Sequence, residues 1–128
     1  MRAVDTNIVV RLITLDDPAQ AALARSLTEQ PFIVLPTVLL EAVWVLQSGY
    51  RTPAMEIVYR LRLLLGSPQA YPVSGEAIEW ALDRYAEGAD FADALQSALE
   101  AAAPATSFAT FDTAIDRLIA DLVERGVA

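Results

Sequence analysis

The sequence predicts an α/β domain in three layers, a short parallel sheet flanked by helices and strongly helical by residue count. An apolar start at Ala3-Val4, a short unbroken apolar run over 32–35 and a stretch over 106–111 that reads as a buried strand alternate with longer stretches whose apolar residues recur at helical spacing. Strands buried on both faces need such runs, and parallel strands need crossovers, which the helices supply. The first and last runs also deliver an acid, Asp5 and Asp112, into polar turn residues. In an open parallel sheet the carboxyl ends of strands meet at one ligand-binding crevice.

Taken in order, the first strand is expected to end at Asp5, with Thr6 or Asn7 capping a helix in which Ile8, Leu12 and Leu15 share a face. Asp17 as cap and Pro18 at the first helical position predict a second helix, in which Ala19, Ala22, Leu23, Ser26 and Leu27 keep i, i+3, i+4 spacing up to Gln30-Pro31. Phe32 to Leu35 reads as a strand, and Pro36 and Thr37 open a third helix to about Ser48, with Gly49 as its stop. Thr52-Pro53 starts a fourth, with Glu56 and Arg60 spaced to pair, until Gly66-Ser67-Pro68 breaks it. Ala70 to Val73 reads as an edge strand because Pro72 cannot donate to a ladder. Ser74 and Asp90 are the expected caps of the next two helices. Thr106 to Phe111 reads as a further strand, and Asp112-Thr113 opens the last helix.

Composition narrows the chemistry. The chain has 128 residues, 55% hydrophobic and 20% charged, so residues 1–128 are read as a single domain that buries roughly two-thirds of its unfolded surface. It has no cysteine and no histidine, which excludes disulfides, zinc-thiolate sites and triads built on an imidazole. All nine basic residues are arginines, so P-loop and Schiff-base chemistry have no lysine to work with. A net charge of −8 argues against broad electrostatic nucleic-acid binding. It leaves a nuclease open, since a divalent cation held by carboxylates presents positive charge to a phosphate. With no signal peptide or membrane span in the sequence, a cytoplasmic protein is expected.

Of seventeen acids, four stand apart from the solvated helix faces. Asp5 and Asp112 follow strands, Asp93 follows Asp90-Phe91-Ala92, and Glu41 sits inside Val38-Leu39-Leu40-Glu41-Ala42-Val43-Trp44-Val45, where burial would be costly without a partner such as Arg11. Each has a structural reading: Asp5 and Asp112 as caps, and Asp90 with Asp93 as a capping box. Together, three acids at helix N-termini and Glu41 suit one site. Two carboxylates about 4 Å apart repel by roughly 4 kcal/mol at an effective dielectric near 20, so a cluster of this kind needs a cation or shared protons. With only oxygen donors, Mg²⁺ or Mn²⁺ fits.

The set Val4-Asp5-Thr6-Asn7, Leu40-Glu41 with Trp44-Val45-Leu46, Asp90-Phe91-Ala92-Asp93-Ala94-Leu95 and Thr110-Phe111-Asp112, in this order, resembles a PIN-domain ribonuclease, in particular the VapC-type toxins of bacterial toxin-antitoxin pairs. The resemblance spans nearly the whole chain. It implies a Mg²⁺- or Mn²⁺-dependent endoribonuclease, often a homodimer, held inactive by a small antitoxin protein. By motif position the catalytic acids carry over to Asp5, Glu41, Asp93 and Asp112, with Asp5, Asp93 and Asp112 toward the metal and Glu41 toward the attacking water. Asp90, Thr6, Asn7 and Thr110 are the supporting polar groups. The basic residue that commonly follows the Thr-Phe-Asp segment is replaced here by Thr113 and Ala114.

Two rival classes share some of these features. An aspartyl-phosphate phosphatase also carries an acid after strand one, but its Asp-x-Asp-x-Thr run fails at Asn7 and Val9. A PIN-like interaction module would use the same acids as caps and solvated pairs. Leu39, Trp44, Leu46, Ile57, Leu61, Leu64 and Leu65 exceed what one packed face needs, which suggests a groove for an amphipathic antitoxin segment.

Overall fold

In the computed structural model, which describes residues 1–103 and 113–124, the chain divides into two units, Met1–Val73 and Ser74–Ala128. The first unit carries the sheet. Strand β1 (Arg2–Ala3) leads into helix α1 (Thr6–Thr14) and helix α2 (Pro18–Leu27); strand β2 (Phe32–Val34) follows, then helix α3 (Pro36–Trp44), helix α4 (Ala54–Leu65) and strand β3 (Ala70–Pro72). The strands pair in parallel in the order β1-β2-β3, with Ala3 opposite Ile33 and Ile33 opposite Tyr71. β2 is central, and Phe32 and Val34 are fully buried, as its unbroken apolar run requires. β3 lies on the edge, where Pro72 costs no ladder bond.

The first strand is shorter than expected. Its pairing stops at Ala3, although the Val4 amide still donates to the Ile33 carbonyl at 3.1 Å. α2 begins as read, with Asp17 accepting from the Gln20 amide at 3.1 Å and Pro18 at the first position. Its buried face is not the expected one: Ala21 and Ala24 are buried, while Leu23 is 59% exposed and Ala19, Ala22 and Ser26 face solvent. α2 packs on α1, and alanines let the two backbones approach where leucines would hold them apart.

α3 buries Leu39, Ala42 and Val43 and packs on α1. It does not continue regularly to Ser48. From Val45 to Gly49 the helix widens into a π-turn, closed by the Tyr50 amide on the Val45 carbonyl at 3.3 Å, so the helical path still ends at Gly49. Arg51 then takes φ 53°, a left-handed conformation that turns the chain toward α4. In α4 the Glu56–Arg60 pair forms at 3.9 Å on the surface. Of the seven residues read as a surplus, Leu39, Leu46, Ile57 and Leu61 are fully buried and Leu64 and Leu65 half-buried, filling core that the sequence could not size; Trp44 alone is exposed.

The second unit contains helix α5 (Gly75–Ala86), helix α6 (Phe91–Ala102) and helix α7 (Thr113–Glu124), with α6 packed between the other two. Ile78, Leu82, Leu95 and Leu122 are its largest fully buried apolar side chains. Arg84 is nearly buried and bonds Asp121 at 3.1 Å and Glu87 at 3.3 Å, its guanidinium 5.5 Å from the Trp80 ring centre. Ser74 precedes α5 but does not cap it through its side chain, because at φ 57° the hydroxyl is not set for the first-turn amides. The strand expected over Thr106 to Phe111 lies outside the described residues. No helix among them is long and apolar enough to cross a membrane. The described chain is mostly helical with a three-stranded parallel sheet, consistent with a three-layer α/β fold.

Candidate active site

Asp5 stands where the sheet hands over to α1. Its extended backbone (φ −90°, ψ 165°) and its carboxylate, accepting from the Thr6 amide at 2.7 Å, make Asp5 itself the cap, in place of Thr6 or Asn7. The Thr6 hydroxyl and the Asn7 amide that sequence pattern allowed as caps are displaced because the helix already begins at Thr6. Asp5 is exposed, and a carboxylate at this end of a helix is favoured by the partial positive charge of the unpaired amides.

Thr6, only 6% exposed, donates its hydroxyl to Glu41 Oε2 at 3.1 Å. That bond joins the start of α1 to the middle of α3 and brings Asp5, Thr6 and Glu41 into one neighbourhood. Asn7 is exposed at the same helix end. Glu41 itself is exposed, contrary to the burial its apolar setting suggested. The reason is helical phase: Leu39, Ala42, Val43 and Leu46 take the buried face, leaving Thr37, Leu40, Glu41 and Trp44 on the other.

Arg11 is not the partner of Glu41. Near the other end of α1 it bonds Asp16 at 3.0 Å, Tyr50 at 3.1 Å and Gln20 at 2.7 Å. Asp16 also accepts from the Thr14 hydroxyl at 2.7 Å and the Tyr50 hydroxyl at 2.9 Å. Those hydroxyl bonds, Thr14's first, and the nearby guanidinium hold the Asp16 carboxyl below its ordinary range. The cluster ties Tyr50, which ends the π-turn, to α1, so α1 is held near its start by Glu41 of α3 and near its end by Tyr50.

In the second unit Asp90 caps α6, accepting from the Asp93 amide at 2.9 Å. Asp93 lies in the first turn, half-buried, and its carbonyl accepts from the buried Ser97 hydroxyl at 2.7 Å. Ser97 was not singled out by sequence, although its i+4 spacing from Asp93 was the available signal. Burial raises the Tyr85 hydroxyl above its ordinary range, with the Asp90 charge adding to it. Asp112 and Thr110 lie outside the described residues.

Among the described residues no group of three or more acids is already gathered around a cation position. The donors are nevertheless all carboxylate and hydroxyl oxygens, a set that suits a hard divalent cation and offers nothing to a soft one. Asp5 and Glu41 carry two negative charges into a neighbourhood where the described partners are the Thr6 amide and hydroxyl.

A family model, that of the PIN domain, matches residues 2–120. No curated protein and no solved structure matches the chain. With the match running from the first strand into the last helix, and the short parallel sheet delivering Asp5 to a helix start beside Glu41, the chain belongs to the PIN domain family, whose members are typically nucleases and generally use divalent metals.

Proposed function

We propose that the chain is a Mg²⁺- or Mn²⁺-dependent endoribonuclease, the toxin of a cytoplasmic toxin-antitoxin pair, working as a homodimer and held in check by a small antitoxin protein. The observation that carries this reading is the Thr6–Glu41 hydrogen bond, which fixes an exposed carboxylate beside Asp5 in a PIN domain. Asp5, Asp93 and Asp112 would hold the cation, with Asp90, Thr6, Asn7 and Thr110 as supporting groups. When bound, the cation neutralises phosphate charge and lowers the pKa of water. Glu41 orients the attacking water and takes its proton, and Thr6 keeps the Glu41 carboxylate in the position that task needs. Hydrolysis by water leaves 5'-phosphate and 3'-hydroxyl ends on RNA and does not involve the 2'-hydroxyl.

A second reading has its own support. Asp5 and Asp90 both cap helices, as acids do in a protein with no catalytic role. Calorimetry with Mn²⁺ separates the two: millimolar or tighter binding that disappears in Asp5→Asn is expected of the nuclease, since asparagine keeps a capping oxygen but not the charge. Absence of binding in the wild type, or 2',3'-cyclic phosphate ends on cleaved RNA, would refute the proposed chemistry.

A further inference from the structure

Helix α4 has two apolar faces. Its inner face buries Ile57, Val58 and Leu61. On the outer face Met55, Tyr59 and Leu63 form an i, i+4, i+8 row, and they are 65%, 61% and 58% exposed. The core does not use this row, and a contiguous ridge of methionine, tyrosine and leucine is the kind of surface that another chain covers. Beside it runs a cleft of about 270 Å³, walled by Leu12 and Ile13 of α1 and by Arg60, Leu63 and Leu64 of α4. Leu63 belongs to both, so ridge and cleft form one surface.

We propose that this surface is where two copies of the chain meet, α4 against α4 in antiparallel orientation. The inference rests on the homodimer of the nuclease reading and names its interface. Charge identifies the occupant. Flanking the ridge, Glu56 and Arg60 form a loose pair at 3.9 Å with both side chains exposed. With a two-fold axis passing beside Tyr59, an antiparallel copy brings its Arg60 opposite Glu56 and its Glu56 opposite Arg60, whereas a parallel copy would set Glu56 against Glu56. The same axis places Met55 opposite the partner's Leu63, at the mouth of the cleft. A two-fold contact must be complementary to itself, and this row is so in both shape and charge. Net charge agrees with it: the six arginines of residues 1–73 balance their six acids, so the whole −8 lies in residues 74–128. Two copies meeting through α4 therefore join neutral units, and a strongly charged partner would find no field of opposite sign to draw it there.

The test is sedimentation of the full chain over about 1–200 μM, with circular dichroism to check that each variant is folded. The wild type is expected to form a dimer. Tyr59→Asp, at a position exposed in the single chain, should weaken association at least about 30-fold. Glu56→Arg and Arg60→Glu should each weaken it about 10-fold or more, since either one sets like charges against each other twice across the axis. Mixed in equal amounts, the two charge variants should associate again, because each supplies the sign the other lacks; a defect confined to the pair within α4 would not be restored by mixing. A monomeric wild type, a dimer that survives Tyr59→Asp, or charge variants that mixing does not restore would each overturn the proposal. RNA cleavage is scored separately. A monomer that cleaves overturns the interface and leaves the nuclease, and a dimer sensitive to these variants that does not cleave upholds the interface and overturns the nuclease.

Discussion

Thr6→Val tests the bond on which the site is built. Valine matches threonine in shape, so at a position 6% exposed the change removes a hydroxyl without opening a cavity. A hydrogen bond to a charged group contributes about 1.5–3 kcal/mol when shielded, but Glu41 is exposed and water replaces the lost donor, so roughly 0.5–1.5 kcal/mol is the expected coupling. The measurement is a double-mutant cycle with Glu41→Ala, which removes the acceptor, followed by thermal unfolding without added metal. For a chain of 128 residues about 1 kcal/mol corresponds to a few degrees in Tm. The single variants are expected to be non-additive by that amount, and Thr6→Val to cleave about tenfold more slowly because Glu41 is no longer held. Additivity within about 0.3 kcal/mol together with unimpaired cleavage would refute the argument that Thr6 positions Glu41.

Other outcomes follow from the same geometry. Asp90→Ser keeps an oxygen for the Asp93 amide and should retain stability and most Mn²⁺-dependent cleavage, whereas Asp93→Asn and Asp93→Glu should stay folded and lose cleavage; the reverse ranking in a gel assay would make Asp90 the ligand. Asp16 carries a carboxyl lowered in the folded state, so its stabilisation is fully present above its ordinary pKa of 3.8 and is lost as pH falls through the lower folded value. The Tm difference between wild type and Asp16→Asn should therefore be constant near neutrality and shrink below pH 3.8; a difference that persists in stronger acid would assign the effect to packing.

Helix boundaries were legible where the residue itself imposes them. Pro18 at a first turn, Gly66 after α4 and Asp90 before α6 act through local backbone chemistry, and the structure has each in its expected place. The unbroken run Phe32 to Leu35 likewise announced a strand, which forms over Phe32–Val34 with Ile33 half-buried, and the order of motifs announced the PIN domain family that the match to residues 2–120 bears out. Strict local pattern was less informative where two phases of a helix are both apolar. In α2 alanines occupy both candidate faces, and only packing on α1 selected Ala21 and Ala24 over Leu23. In α3 the apolar surroundings of Glu41 suggested burial, but a one-residue difference in phase put Leu39 and Ala42 inside and left Glu41 and Trp44 in solvent.

The sequence by itself determined the chemistry available: with no histidine, cysteine or lysine, carboxylates, hydroxyls and arginines are what remain, and all the acids were visible as residues. It could not assign partners across distance. Arg11 was offered by the sequence as a partner for Glu41, and the fold gave it Asp16 with Tyr50 because those residues meet it near the far end of α1. Glu41 instead received the hydroxyl of Thr6, 35 residues away, since α1 and α3 pack side by side and present those two positions to each other. Such pairings depend on how helices cross, which is set by the summed fit of many buried side chains and is not encoded at any one position.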